Sequence, residues 1–306
     1  VLYKLKKFLT DNWQDPECPI VILMSATIEE ISFMDYFEIP KRNFLYISGI
    51  SNKIYVNYPE YSPSNYMEYA MNKAFDINKN EDPERVRDII MFVAGASDTK
   101  VAISLVDFYN SELYSSAEPV KRYILPVSLT SESFKKGGIE YQDIYSNIEL
   151  IKVPIYKSDE PGKVGLDIIT YVSPFRRCII STNVAETGVT LPTLKYCIDT
   201  GWSNSSEFNP EIGSYILLKK NITKGSAIQR KGRVGRKAVG HWYPCYTEDT
   251  FNKFRDENYS KIITSDVSNL LLNYTIDESG AKLEPVVDDV KSTPLLKYRV
   301  IRGESV

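Results

Sequence analysis

The stretch Gln229-Arg230-Lys231-Gly232-Arg233-Val234-Gly235-Arg236 gathers four cationic side chains and one amide within eight residues. Arginine keeps its charge at physiological pH and presents a planar fork that matches phosphate oxygens, so these residue types suit binding and neutralising a phosphate. In a helix, Gln229, Arg233 and Arg236 fall at i, i+4 and i+7, within about 60° of one another. Two guanidiniums and an amide then form a stripe able to clamp a phosphate and orient a water beside it. On that reading Arg230 and Lys231 point away, and Gly232 lets the stripe approach another surface closely. The same residues also read as a solvated basic helix, or as a phosphate-contacting patch on a nucleic-acid binder, because basic clusters are common.

Two further motifs sit where a strand hands over to a helix. Ser25-Ala26-Thr27 follows the apolar run 19–24, and Ser181-Thr182-Asn183-Val184-Ala185-Glu186-Thr187 follows the apolar run 178–180. Thr27 with Glu30, and Asn183 with Glu186, fit the capping box, in which a side-chain acceptor and an acid three residues on satisfy free helix-start amides. A helix start at the end of a parallel strand also binds backbone phosphates. Capping and nucleic-acid contact are therefore both open readings of Thr182, Asn183 and Thr187.

The elements that must position these residues form an alternating series. Apolar, β-branched runs at 19–24, 88–93, 120–126, 177–180, 196–198 and 242–246 read as strands buried on both faces. Helical periodicity over 100–109 follows the turn at Gly95, so strands alternate with helices and the class is α/β with a parallel sheet. One boundary falls near 47 and another near 247, after which 247–254 and 266–274 read as amphipathic helices. The polar stretch 129–165, with Lys135-Lys136-Gly137-Gly138 and Ser158-Asp159-Glu160-Pro161-Gly162, reads as an inserted surface excursion.

Composition bounds the function. Hydrophobic residues make up 43% and charged residues 25%, the ordinary mixture of a folded domain. A net charge of −3 does not mark a nucleic-acid binder, so binding to RNA must rest on local geometry. A single histidine, His241, and four cysteines without C-x-x-C spacing (Cys18, Cys178, Cys197, Cys245) leave little for a metal site, and the cysteines read as buried, reduced thiols. There is no G-x-x-x-x-G-K-[ST] loop, no D-E-x-H or D-E-x-D box, no nucleophile with its base and no G-x-G-x-x-G after a strand. The first two absences predict no NTP hydrolysis by this chain alone, and the last two, with the single histidine, count against a metabolic α/β enzyme with a small-molecule pocket. No apolar run approaches a membrane span. The start, without Met or a secretory core, reads as a cut edge with sequence missing upstream, and the expected location is intracellular or inside a virion.

The 229–236 stretch matches the Q-R-x-G-R-x-G-R motif that ends the second motor domain of superfamily 2 helicases. Ser181 to Thr187 resembles the S-T-N-x-A-E-T motif of the DEAH/DExH type, Tyr196-Cys197-Ile198-Asp199-Thr200-Gly201 the family's next strand, and Ser25-Ala26-Thr27 its S-A-T element. The strand before Gly95 takes the place of motif IV. Poxvirus-type nucleoside triphosphatase helicases carry the same 229–236 string, so a large-DNA-virus relative is implied. The resemblance implies a RecA-like parallel sheet with helices on both faces, of the P-loop NTPase type, followed by a mainly helical, winged-helix-like tail. It divides the chain into a remnant of the first RecA-like domain (1–47), the second one with its insertion (48–246) and the start of the tail (247–306). Gln229, Arg233 and Arg236 would face the γ-phosphate of ATP or another NTP and the attacking water, with Arg233 and Arg236 as arginine fingers. Thr182, Asn183 and Thr187 would touch the RNA backbone, Ser25 and Thr27 would couple hydrolysis to domain closure, and Glu186 and Gly188 would lie near the nucleotide. Mg²⁺ would be held mainly by the missing first domain, which would join this chain in cis, so the chain alone would be inactive. Two departures put nucleotide sensing in doubt: Gly188 stands where the family has Ser, and Pro192 where it has Asp. The expected activity is NTP hydrolysis coupled to unwinding of RNA, or of DNA; the alternative is a non-catalytic binding module in which Arg230, Lys231, Arg233, Arg236 and Lys237 contact phosphates.

Overall fold

The structure is a computed structural model that describes residues 2–24, 30–45, 47, 52–81, 87–115, 124–130, 150–160, 163–172, 176–186, 191, 193–256 and 264–266. The chain divides into two compact units, one of Val1–Gly49, Ser206–Ile216 and Tyr259–Val306, the other of Ile50–Ser205 and Leu217–Asn258.

In the first unit, helices α1 (Leu2–Asn12) and α2 (Glu30–Phe37) flank the apolar run. Lys6 bonds Glu38 at 3.3 Å and lies over the Tyr36 ring. The run itself departs from expectation. Residues 20–24 form no strand, and Ile20, Ile22 and Met24 are 92, 74 and 88% exposed. A strand exists only through its ladder partners, and among the described residues none pairs with this run.

The second unit is built on a parallel sheet of six strands: β1 (Ile54–Val56), β2 (Asp88–Phe92), β3 (Ile124–Leu129), β6 (Arg176–Ser181), β7 (Leu194–Asp199) and β10 (Gly240–Pro244), in the order β1-β10-β7-β2-β6-β3. The central strands β2, β6 and β7 are almost wholly buried, which is why they read as unbroken apolar runs rather than as alternation. Ile89, Met91, Cys178, Ile180, Tyr196 and Ile198 turn to one face, where Met67, Ala70, Met71 and Ala74 of α3 (Tyr66–Asn80) and Ala102 and Val106 of α4 (Ala96–Ser115) cover them. Ile90, Phe92, Ile179, Cys197 and Trp242 turn to the other, against Ala227 of α5 (Lys224–Lys231) and Phe251 of α6 (Glu248–Lys253). α3 starts where the Asn65 side chain accepts from the amides of Met67 and Glu68. Cys178, Cys197 and Cys245 are buried and free, while Cys18 is half-buried.

Two antiparallel pairs complete the described elements. β4 (Leu150–Glu160) pairs with β5 (Lys163–Val172), so much of the stretch read as a polar excursion is a two-stranded ribbon that runs on to residue 172. β8 (Trp202–Asn209) pairs with β9 (Ser214–Asn221), a hairpin that sequence periodicity did not single out. Helix 247–254 is present as α6 with Thr247 as its cap. The expected helix at 266–274 and the winged-helix-like tail lie almost wholly outside the described residues.

His241 stands in a lateral row across three strands, stacked on Tyr55 of β1 and Tyr196 of β7. Burial lowers its pKa below the usual value, with Lys195 acting in the same direction and Glu81 opposing. A lowered histidine contributes stability that is complete above its unfolded pKa of about 6.5 and is lost as pH falls through the folded value. Urea unfolding at pH 7 and pH 5 is therefore expected to show a larger loss on acidification for the native chain than for His241→Gln.

Candidate functional site

Open α/β sheets bind their ligands beyond the carboxyl ends of the strands, and this edge carries Ser181, Thr182, Asn183, Glu186 and Asp199. Register sets Phe92, at the end of β2, between Ser181 of β6 and Asp199 of β7. Ser181 donates to the Leu129 carbonyl at 2.9 Å, locking the end of β6 to that of β3. After it, Asn183–Glu186 makes a single 3-10 turn, with the Ala185 amide bonded to the Thr182 carbonyl at 3.3 Å.

Arg230 lies at the centre. Read from periodicity as pointing away, it is fully buried. Its Nε donates to Glu186 at 2.7 Å, Nη1 to Asp199 at 2.8 Å and Nη2 to the Trp202 carbonyl at 3.3 Å, while the guanidinium lies 4.9 Å from the centre of the Phe92 ring. The carboxylates are held from their other sides too. Ser226 donates to Glu186 at 3.0 Å, and the Tyr246 hydroxyl and Gly201 amide donate to Asp199 at 2.9 and 3.0 Å. Burial works against the Arg230 charge, but Asp199 and Glu186 more than offset it and raise its pKa. The Tyr246 hydroxyl is likewise pushed up, first by burial and then by Asp199, so it stays a donor. The contact-free Arg230 that a phosphate-binding module would need is therefore absent.

The single helical stripe is overturned as well. α5 begins at Thr223, whose side chain accepts from the Ser226 amide, and stops at Lys231. The Arg233 amide bonds the Arg230 carbonyl at 3.1 Å, a tightening of the last turn, and Gly235 then takes φ +77°. Gln229 thus stands on the helix, and Arg233 and Arg236 on the turn that follows it. Arg233, half-buried, donates to the main-chain carbonyl of Glu186. Its pKa is pushed down by burial and then by the Arg236 charge, against the pull of Glu186. Arg236 is exposed, with Nε 3.3 Å from the Gly232 carbonyl. The arrangement therefore sets two guanidiniums near enough to repel, a combination that an anion would relieve.

Thr182 is half-buried and Asn183 exposed at the head of the 3-10 turn. The capping box expected there does not form, because the Glu186 carboxylate is taken by Arg230 and Ser226. Ser25, Thr27, Thr187, Gly188 and Pro192 lie outside the described residues. Sequence reasoning missed Arg230, Asp199, Ser226 and Tyr246; Asp199, an acid closing an apolar strand, was the available signal. Among the described residues no group of three or more His, Cys, Asp or Glu could hold a metal ion.

Residues 131–238 match the family model of the helicase conserved C-terminal domain. The chain is 34% identical over 262 residues to B962L of African swine fever virus, a candidate RNA helicase, covering 85% of this chain and 26% of that protein. It is 27% identical over 253 residues to the ATP-dependent RNA helicase DHX33 of Mus musculus, covering 82% of this chain and 31% of that protein. The chain thus spans less than a third of either relative. Among solved structures it resembles the Escherichia coli DEAH/RHA helicase HrpB, with a TM-score of 0.64 and 17% identity over 91% of this chain and 30% of that one, a likeness of fold.

Removing Arg230 would leave two buried carboxylates without their cation, a loss of about 3–5 kcal/mol for a broken buried pair. Urea unfolding at pH 7 is expected to show that loss for Arg230→Met and a smaller one for Arg230→Lys, which keeps the charge without the fork.

Proposed function

We propose that this chain, which carries a helicase conserved C-terminal domain, is the second motor domain and its flanks from an ATP-dependent RNA helicase of the DEAH type. The observation that carries the reading is the pair Arg233 and Arg236 on the turn after α5: Arg233 donates to the carbonyl of Glu186, whose carboxylate belongs to the buried Glu186–Arg230–Asp199 strut, and Arg236 stands exposed three residues on. Arg233 and Arg236 act as arginine fingers on the γ-phosphate of ATP. Their permanent charge offsets the negative charge spread over the transferring phosphoryl oxygens, and the strut holds Arg233 in place before the reaction begins. Gln229, one helical turn back, orients the attacking water.

Thr182, Asn183 and Thr187 contact the RNA backbone, and Glu186 and Gly188 lie near the nucleotide. Mg²⁺ accompanies the ATP and is held mainly by the first motor domain, as is the phosphate loop, so hydrolysis needs that domain in cis. The exposed run 20–24 supports this division. Its side chains alternate in exposure, as a strand's do, and each apolar residue left in water forgoes about 1.5–3 kcal/mol. We assign 1–47 to the first motor domain, with Ser25 and Thr27 coupling hydrolysis to closure, 48–246 to the second with an insertion at 129–165, and 247–306 to a winged-helix region. No helix among the described residues is long and apolar enough to cross a membrane, and the proposed setting is intracellular.

RNA-stimulated ATP hydrolysis by the complete protein is the test. Arg236→Ala and Arg233→Ala are each expected to lower turnover by about a thousandfold or more while RNA affinity changes little. Unchanged hydrolysis with a large loss of RNA affinity would replace this reading with a nucleic-acid-binding module.

A further inference from the structure

The turn that carries Arg236 is held at its start by the Arg233 and Val234 amides, which reach the Arg230 and Lys231 carbonyls at 3.1 and 3.3 Å, and from Gly235 on its main-chain carbonyls are tied to the segment that enters β1. The Asn52 amide donates to the Gly235 carbonyl at 2.7 Å, and the Asn52 side-chain Nδ2 spans the carbonyls of Gly235 and Arg236 at 3.3 and 3.4 Å. On the return path the Gly240 amide donates to the Lys53 carbonyl at 3.0 Å. The approach is close enough to exclude a side chain. A Cβ on Gly235 would stand 2.7 Å from Ile54 Cγ1 and 3.0 Å from the Asn52 carbonyl oxygen, at a φ that already favours glycine. Arg236 itself is exposed, with its Nε 3.3 Å from the Gly232 carbonyl, and what fixes the origin of that side chain is its main chain.

We infer that Asn52 is a positioning residue for Arg236: one asparagine, through its main-chain and side-chain N–H groups, holds the two carbonyls that set where the Arg236 side chain begins. The inference rests on the reading of Arg236 as an arginine finger. Such a group works by being in place before charge develops, and a displacement of about 1 Å can cost on the order of a hundredfold in rate. Asn52 touches neither nucleotide nor RNA in this role. It belongs to the stretch just before the edge strand β1, so the finger's position is referred to that stretch rather than to α5 alone.

The test uses RNA-stimulated ATP hydrolysis by the complete protein. Asn52→Ala keeps the main-chain bond to Gly235 and removes the side-chain donor; kcat is expected to fall roughly tenfold, with KM for ATP and RNA affinity within about twofold and the melting temperature little changed. Asn52→Asp keeps the shape but turns an acceptor toward both carbonyls, and should fall at least as far, which covers the case in which the alanine variant folds poorly. In an Arg236→Lys background Asn52→Ala should cost less than it does in the native protein, because the group being positioned has been replaced. Full kcat in both Asn52 variants, beside a severe loss in Arg236→Ala, would overturn the positioning role and leave the finger intact. A loss that appears in KM or RNA affinity, or that is undiminished in the Arg236→Lys background, would also overturn it. No loss in Arg236→Ala would overturn the finger reading itself.

Discussion

A guanidinium that is completely shut away from water sets the terms for everything at the carboxyl edge of this sheet. Arg230 has to be met by two carboxylates, and those carboxylates come from different parts of the chain: Asp199 from the end of β7 and Glu186 from the turn after β6. A buried ion pair is a poor source of net stability, because desolvation consumes most of the Coulombic gain, yet losing one partner is severe. The consequence is geometric. α5, β7 and the 183–186 turn can meet in only the one arrangement that satisfies both acids, and Ser226, Tyr246 and the Gly201 amide occupy the lone pairs that Arg230 does not reach.

Glu186 serves this arrangement twice. Its carboxylate anchors Arg230, and its main-chain carbonyl accepts from Arg233. A residue that closes the turn headed by Thr182 and Asn183 therefore also sets the height of a guanidinium on the turn after α5. On the proposed reading those two ends face RNA and nucleotide. A shift of the 183–186 turn would move Arg233 without any intermediate element, and the buried Arg230 would resist all but discrete rearrangements, since packed polar clusters do not deform continuously.

Much of the fold was legible in the order of the residues. The runs at 88–93, 177–180, 196–198 and 242–246 fall in strands of one parallel sheet, whose middle positions are apolar while buried polar side chains such as Asp88, Ser181 and Asp199 stand at strand ends. The 229–236 string spans the end of α5 and the turn that leads to β10. Its internal geometry was not legible, because a 3.6-residue period presumes that the helix continues, whereas it ends at Lys231 with Gly232 as its cap, and Gly235 at φ +77° turns the chain again between Arg233 and Arg236. Nor could spacing tell that Arg230, flanked by other cations, would be the buried one. That outcome depends on Glu186 and Asp199, 44 and 31 residues away in sequence. The antiparallel pairs β4–β5 and β8–β9 were not singled out, although 168–172 of β5 and 215–218 of β9 are apolar or β-branched runs.

The run at 19–24 is the instructive contrast. By residue type it resembles β2 and β6, yet β2 is buried throughout and this run is exposed and unpaired among the described residues. Strand propensity expresses how a side chain fits a pleated, covered surface; it becomes a strand only where neighbours supply both the ladder and the cover. The same apolar pattern thus has two outcomes in one chain, decided by whether partners are present. The alternating exposure from Ile20 to Met24 already has the period of two that pairing requires. What distinguishes 19–24 from β2 is the absence of neighbours among the described residues.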